Sequence, residues 1–123
     1  MATFYTSGRV VNRVDRNKSA EIPKMLVDTG AEFITWINPD TLKSIGVKRE
    51  KKNYTFVMAN RKQSTRAVGY AILHIGDAVT IDEVIFGEPG ALEILGARTL
   101  EGMNLRVDPR AKKLVAGGPI LAE

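Results

Sequence analysis

The chain has no cysteine, a single histidine (His74) and a single tryptophan (Trp36). Without cysteine there is no disulfide, no thiolate metal site and no cysteine nucleophile. One imidazole excludes sites built on two, which removes most catalytic zinc sets, and no metal or other cofactor is expected. A membrane span needs about 18 consecutive apolar residues. The apolar stretches here are shorter, broken by Gly or Asp, so no membrane partner is expected. The opening Met1-Ala-Thr-Phe-Tyr-Thr-Ser-Gly8 lacks a basic region followed by an apolar one. The expectation is therefore a cytoplasmic protein without a signal peptide.

What is present fits one globular domain, residues 1–123, with 44% hydrophobic and 26% charged residues. The net charge is +4. It comes from three basic clusters, Lys48-Arg49-Glu50-Lys51-Lys52, Arg61-Lys62 with Arg66, and Arg110 with Lys112-Lys113. Each is placed in a loop or turn, and no aromatic residues interleave with them. They read as solvated surface, and no nucleic-acid partner is expected.

The prevailing hydrophobic period is two, which argues strands. Phe4–Val14 (interrupted at Gly8) and Ile22–Val27 predict a hairpin. Ile34–Ile37, Tyr54–Ala59, Thr65–Ile75 and Val79–Phe86 predict four more strands. Leu105–Asp108 and Leu114–Ala116 flank an Asp-Pro-Arg turn. One helix is predicted at Asn38–Gly46: Asn38 suits the cap, Pro39 the first turn, Asp40 the dipole and Gly46 a left-handed stop. A second short helix is predicted from Ala97 to Glu101. The fold class is mostly β, a closed or nearly closed barrel with one or two short helices.

One segment carries chemistry, Lys24-Met-Leu-Val-Asp-Thr-Gly-Ala-Glu-Phe33. At average residue usage an Asp-Thr-Gly triplet occurs by chance in roughly 2% of chains this long. A strand ending in an Asp-initiated turn explains Asp28 and Gly30 but not the return of apolar texture at Ala31 and Phe33. A carboxylate in such surroundings must be partnered, or its pKa must move.

These residues resemble the catalytic loop of the retropepsin-like aspartic proteases, in which apolar residues precede Asp-Thr-Gly-Ala. Downstream, Glu93-Ile-Leu-Gly-Ala-Arg-Thr-Leu100 is similar to the apolar-apolar-Gly segment that opens the family's C-terminal helix. Between them, Val57–Arg66 occupies the place of the flap hairpin, and Gly69–Ile75 that of the strand leading away from it. The resemblance implies a barrel fold and peptidase activity. It implies Asp28 as the catalytic residue, Thr29, Gly30 and Ala31 as its loop, and Ile94, Leu95 and Gly96 as the packing beneath it. Glu32 and the hairpin residues Asn60, Arg61, Lys62 and Gln63 are implied to touch substrate. The pattern departs from retroviral members at Glu32, where they carry Asp, at Arg98, and in a hairpin tip without glycine. Because Glu32 and Arg98 both depart from the pattern, they are expected to form an ion pair.

Peptide hydrolysis by carboxylates needs one as base towards water and a second, protonated, as donor to the carbonyl oxygen. The chain has one Asp-Thr-Gly, and a two-lobed protease would need about twice its length. An isologous homodimer supplies the second Asp28. Two carboxylates ~4 Å apart repel by ~4 kcal/mol at an effective dielectric of ~20, enough to keep one shared proton at mildly acidic pH. The resemblance also implies that Thr29 braces the two loops and that the tail Gly117–Glu123 joins a shared terminal sheet. The partner is then an extended peptide or protein substrate.

Other candidates read as structure. His74 alternates with apolar residues on a strand, Trp36 is assigned to the core with pocket lining as the alternative, and Asp82-Glu83 is expected to be an exposed polar pair. The competing functional class is a non-catalytic peptide-binding or dimerisation module on the same fold.

Overall fold

A computed structural model describes residues 4–27, 34–58 and 60–122. In chain order the elements are β1 (Phe4–Val11), β2 (Ser19–Val27), β3 (Thr35–Ile37), α1 (Pro39–Ser44), β4 (Lys51–Val57) and β5 (Gln63–Ile75). There follow β6 (Ala78–Phe86), β7 (Glu93–Leu95), α2 (Ala97–Gly102), β8 (Leu105–Asp108) and β9 (Lys113–Ala116).

The predicted hairpin forms, with β1 antiparallel to β2 and a register shift between Thr6 and Gly8. Beyond the shift, β1 also pairs with β5. Gly8 permits this close approach, because a Cβ there would stand 2.8 Å from Ile75 Cδ1 and 3.1 Å from the His74 carbonyl oxygen. The ring β1-β2-β7-β3-β6-β5 thereby closes on itself as a six-stranded barrel, and β4 extends outside it on β5. Closure removes free sheet edges from the barrel itself. The hairpin β8–β9 is a separate two-stranded sheet.

Inward residues of the ring, among them Val10, Ile22, Val27, Val84 and Leu95, join Leu42 of α1 and Leu100 of α2 in one core cluster. The signals for α1 act as expected. Asn38 Oδ1 accepts the Asp40 N–H at 2.8 Å, and Gly46 has φ +75°. Gly46 N–H reaches the Lys43 carbonyl and Val47 N–H the Leu42 carbonyl, the paired bonds of a Schellman stop.

Three expectations are corrected. β1 ends at Val11, because Asn12 Oδ1 accepts the N–H groups of both Val14 and Asp15 and turns the chain. Lys51 and Lys52 belong to β4 rather than to a loop. Residues 93–95, read only as a motif, form the strand β7; three residues are too few to show a period.

Candidate active site

Asp28, Thr29, Gly30, Ala31 and Glu32 lie outside the described residues, as does Ala59. Both ends of the segment carrying Asp28 are described, and both are anchored on the junction of β7 and α2. On one side β2 and β7 run parallel with Leu26 opposite Ile94 and Val27 opposite Leu95. Val27 and Leu95 are fully buried. Leu26 and Ile94 are half-buried, and Ile94 also stands opposite Trp36 of β3. On the other side, Gly96 caps α2 in extended conformation without a side-chain cap of its own. Its N–H donates to Thr35 Oγ1 at 3.0 Å, at the start of β3. Of the predicted residues, Ile94, Leu95 and Gly96 are therefore together at the base of this segment.

From Gly96 a buried polar chain runs inward. Thr35 Oγ1 and Thr99 Oγ1 are 2.6 Å apart, and Thr99 donates to Asp82 Oδ2 at 3.1 Å. An ionised carboxylate only accepts, so Thr99 spends its hydrogen on Asp82, and Thr35 must donate to Thr99. The direction of every bond follows: Gly96 N–H to Thr35, Thr35 to Thr99, Thr99 to Asp82. Asp82 Oδ1 accepts the Glu83 N–H at 2.7 Å and lies 3.1 Å from Arg98 Nε. Three donors thus compensate a carboxylate that is almost fully buried.

Glu83 extends the network outward. Its carboxylate meets Arg98 Nη1 at 2.9 Å and Lys51 Nζ of β4 at 2.7 Å. The hydrogen bond from Lys51 holds the Glu83 carboxyl below its ordinary range, helped by Arg98 and opposed by partial burial. The Glu83 carboxylate raises Lys51 and Arg98 in return. The expectation of an exposed Asp82-Glu83 pair is overturned: Asp82 faces inward and Glu83 is clamped between β4 and α2. Arg98 is engaged by these two acids, while its expected partner Glu32 lies outside the described residues.

The hairpin β4–β5 has Asn60, Arg61 and Lys62 at an exposed tip. Arg61 takes φ +65°, the conformation usually given to glycine, and Asn60 Oδ1 accepts the Lys62 N–H at 2.9 Å. Gln63 belongs to β5, opposite Val57, rather than to the tip. Phe56 of this hairpin packs against Trp36 with ring centroids 5.8 Å apart. Trp36 is half-buried and borders a cavity with Arg66, so the assignment to the core gives way to the alternative of a pocket-lining residue. His74 lies in β5 opposite Arg9 and Val79, as a strand histidine should.

Sequence reasoning missed Thr35, Thr99, Asp82 and Lys51. Period two does put Asp82 on the same face of β6 as the buried Val84 and Phe86. Among the described residues no cluster of acids and histidine could hold a metal ion, and no helix is long and apolar enough to cross a membrane.

Compared with known families, residues 13–99 match the aspartyl protease family. The match covers well over half of the chain and includes both the Asp28-Thr29-Gly30 segment and Gly96. The chain belongs to this retropepsin-like family, which supports a protease-type function. No curated protein matches the chain.

Proposed function

We propose that the chain is a single-domain aspartic endopeptidase that works as a homodimer, with one Asp28 from each subunit. The observation that carries this reading is the anchoring around the motif: Val27 is in register with Leu95, and Gly96 is bonded to Thr35. A family motif whose two flanks meet on the family's second glycine is hard to explain as a chance turn.

In the reaction, one Asp28 carboxylate takes a proton from a water molecule, whose oxygen attacks the scissile carbonyl carbon. The other Asp28, protonated, donates to the carbonyl oxygen. Collapse of the tetrahedral intermediate returns a proton to the leaving nitrogen. Thr29, Gly30 and Ala31 complete the loop, Gly30 letting the two copies meet closely, and Ile94, Leu95 and Gly96 support its flanks. The tip residues Asn60, Arg61 and Lys62, with Gln63 at the start of β5 and Glu32 beside the loop, contact an extended peptide and exclude bulk water.

The test is Asp28→Asn, assayed with wild type on an unfolded protein from pH 3 to pH 8. Wild type should cleave with a bell-shaped profile in the acidic range, its limbs belonging to the pair of carboxylates, and chelators should leave the rate unchanged. The Asn variant should remain folded and lose cleavage. If it cleaves as well as wild type, Asp28 is not catalytic. If neither protein cleaves but both bind extended peptide, the chain is a binding module.

A further inference from the structure

The outer wall of the barrel carries a cleft of about 340 Å³ where β1, β5 and β6 run side by side. Residues paired across a sheet share a face, so the register fixes what this wall presents. One row is Ser19, Val11, Ile72 and Ile81; the next is Glu21, Arg9, His74 and Val79. The alternate residues Val10 and Leu73 point into the core cluster. Val11 and Ile72 face outward yet are only 5% and 4% exposed, which makes them the recessed floor of the cleft. Val79 and Ile81 continue the apolar surface at about half exposure.

A guanidinium stands on each side of this floor. Arg9 precedes Val11 by two residues on the same face of β1, about 7 Å along the strand. On the other side the chain turns from β1 into β2, and Arg16 of that turn also lines the cleft. The turn is held firmly. Lys18 N–H reaches the Asp15 carbonyl at 3.0 Å, and Asn12 N–H reaches the Lys18 carbonyl at 2.9 Å. Among the described residues the lining contains no acid, and neither arginine is in an ion pair. Glu21, across from Arg9 on β2, lines the adjoining cavity instead. The Ser19 hydroxyl and an imidazole N–H of His74 add neutral donors to the walls.

An occupant must therefore supply an aliphatic group for the floor and an anion on either side of it. Nucleic acid offers phosphates but nothing aliphatic, and a broad membrane surface does not reach a recessed floor. An extended peptide meets both demands, because its residues i and i+2 share a face and lie about 7 Å apart. An acid-x-aliphatic-x-acid sequence sets one carboxylate at Arg9, the aliphatic side chain on Val11 and Ile72, and the second carboxylate at Arg16. We propose that this cleft docks such an acidic segment of the protein substrate, away from the stretch that is cut. The cleft lies at the far end of the β1–β2 hairpin from Val27: Val27 pairs with Phe4 and Ser19 with Val11, eight residues or about 26 Å apart along β2. A segment held there raises the effective concentration of the rest of its own chain at the enzyme. The proposal rests on the endopeptidase reading for its role, though not for the binding itself.

Binding is measured by fluorescence anisotropy on Asp28→Asn protein at low salt, with labelled peptides centred on Glu-Ser-Leu-Ser-Glu. Replacing the Leu by Ser, replacing both Glu by Gln, or moving the Leu outside the two acids should each weaken binding about fivefold or more. Arg9→Gln and Arg16→Gln, both at exposed positions, should each weaken it about threefold to fivefold, and together about tenfold. Glu21→Gln should tighten it about twofold. For cleavage, the segment is placed about 10, 20 or 30 residues from a fixed cleavable pair in an unfolded protein, coil spans of roughly 17–30 Å. At one spacing or more the Glu version should exceed the Gln version about fivefold in kcat/KM, with the gain in KM. Arg16→Gln should remove the gain and leave the Gln version cleaved as before.

Cleavage without order-selective binding overturns the docking cleft and leaves the protease reading standing. Selective binding that requires the two arginines, with no cleavage of any substrate, overturns the protease reading and leaves a peptide-binding cleft. Selective binding that changes cleavage at no spacing overturns the substrate as its occupant. An oligonucleotide or an anionic vesicle that binds through Arg9 and Arg16 where the peptides do not overturns the peptide chemistry. If there is neither binding nor cleavage, both readings fall.

Discussion

Replacing Thr99 by Val tests the directed hydrogen-bond chain beneath the Asp28 segment. The two side chains have nearly the same shape, so the change removes a hydroxyl without leaving a void. Thr35 and Thr99 are both fully buried, and their oxygens are 2.6 Å apart. The variant loses the bond to the Asp82 carboxylate, worth about 1.5–3 kcal/mol, and leaves the Thr35 hydroxyl without its acceptor, worth about 0.5–1.5 kcal/mol. Burying a methyl in place of the hydroxyl returns about 1 kcal/mol. The net expectation is a loss of about 1–3.5 kcal/mol, or a fall of about 4–14 °C in Tm. Urea unfolding followed by Trp36 fluorescence measures it, at one protein concentration so that association cannot move the midpoint. Thr35→Val should also destabilise, because it strips the Gly96 N–H of its acceptor. In the double variant the stranded Thr35 hydroxyl is gone, so the loss should fall short of the sum by about 1 kcal/mol. A Thr99→Val cost below about 0.5 kcal/mol, or strict additivity of the two changes, would refute the chain of bonds.

The remaining expectations concern the rim of the same network and the wall of the barrel. Glu83 has its carboxyl lowered by Lys51 first and Arg98 second, so its contribution to stability is complete above the unfolded value of about 4.3 and is lost as pH falls through the folded value. Thermal melts of wild type and Glu83→Gln should therefore converge between pH 5 and pH 3; parallel curves would mean that the carboxylate does not stabilise the fold. Gly69→Ala should cost about 1–3 kcal/mol in the same urea assay, because its Cβ would stand 2.5 Å from the Lys48 carbonyl oxygen and 3.1 Å from both Phe86 Cε1 and Val47 Cγ1. A neutral result would show that the Lys48 backbone can withdraw.

Much of the fold was legible because its signals are local. The α1 stop needs only a capping Asn38, Pro39 and a glycine at positive φ, and all lie within nine residues. The β5–β6 hairpin needs only alternating residues around Gly76-Asp77, and Gly76 at φ +57° is the turn those residues specify. The barrel's closure is different in kind. It depends on β2 pairing with β7 and β3 with β6, both parallel and both between segments far apart in the chain. No periodicity within a segment records such a partner. The β2–β7 alignment was reachable only through the likeness of Met25–Ala31 and Glu93–Leu100 to two family motifs.

The polar chain was hidden for a sharper reason. In β6 the two alternating sets are Ala78, Thr80, Asp82, Val84, Phe86 and Val79, Ile81, Glu83, Ile85. Judged by hydropathy, the second set belongs inside, yet Val79 and Ile81 are 49% and 57% exposed while Asp82 is 9% exposed. The inward set is the more polar one because Asp82 has partners waiting: Thr99 and Arg98 from α2, and Thr35 behind Thr99. Arg98 and Thr99 lie 16 and 17 positions further along the chain, so the sequence of β6 alone carries no trace of the compensation. Once the topology puts β3, β6 and α2 together, burying the carboxylate becomes the favourable choice. It is this choice that lets Gly96, which has no side chain to cap its helix, be fixed through Thr35 to the start of β3 and so to the end of the segment that carries Asp28.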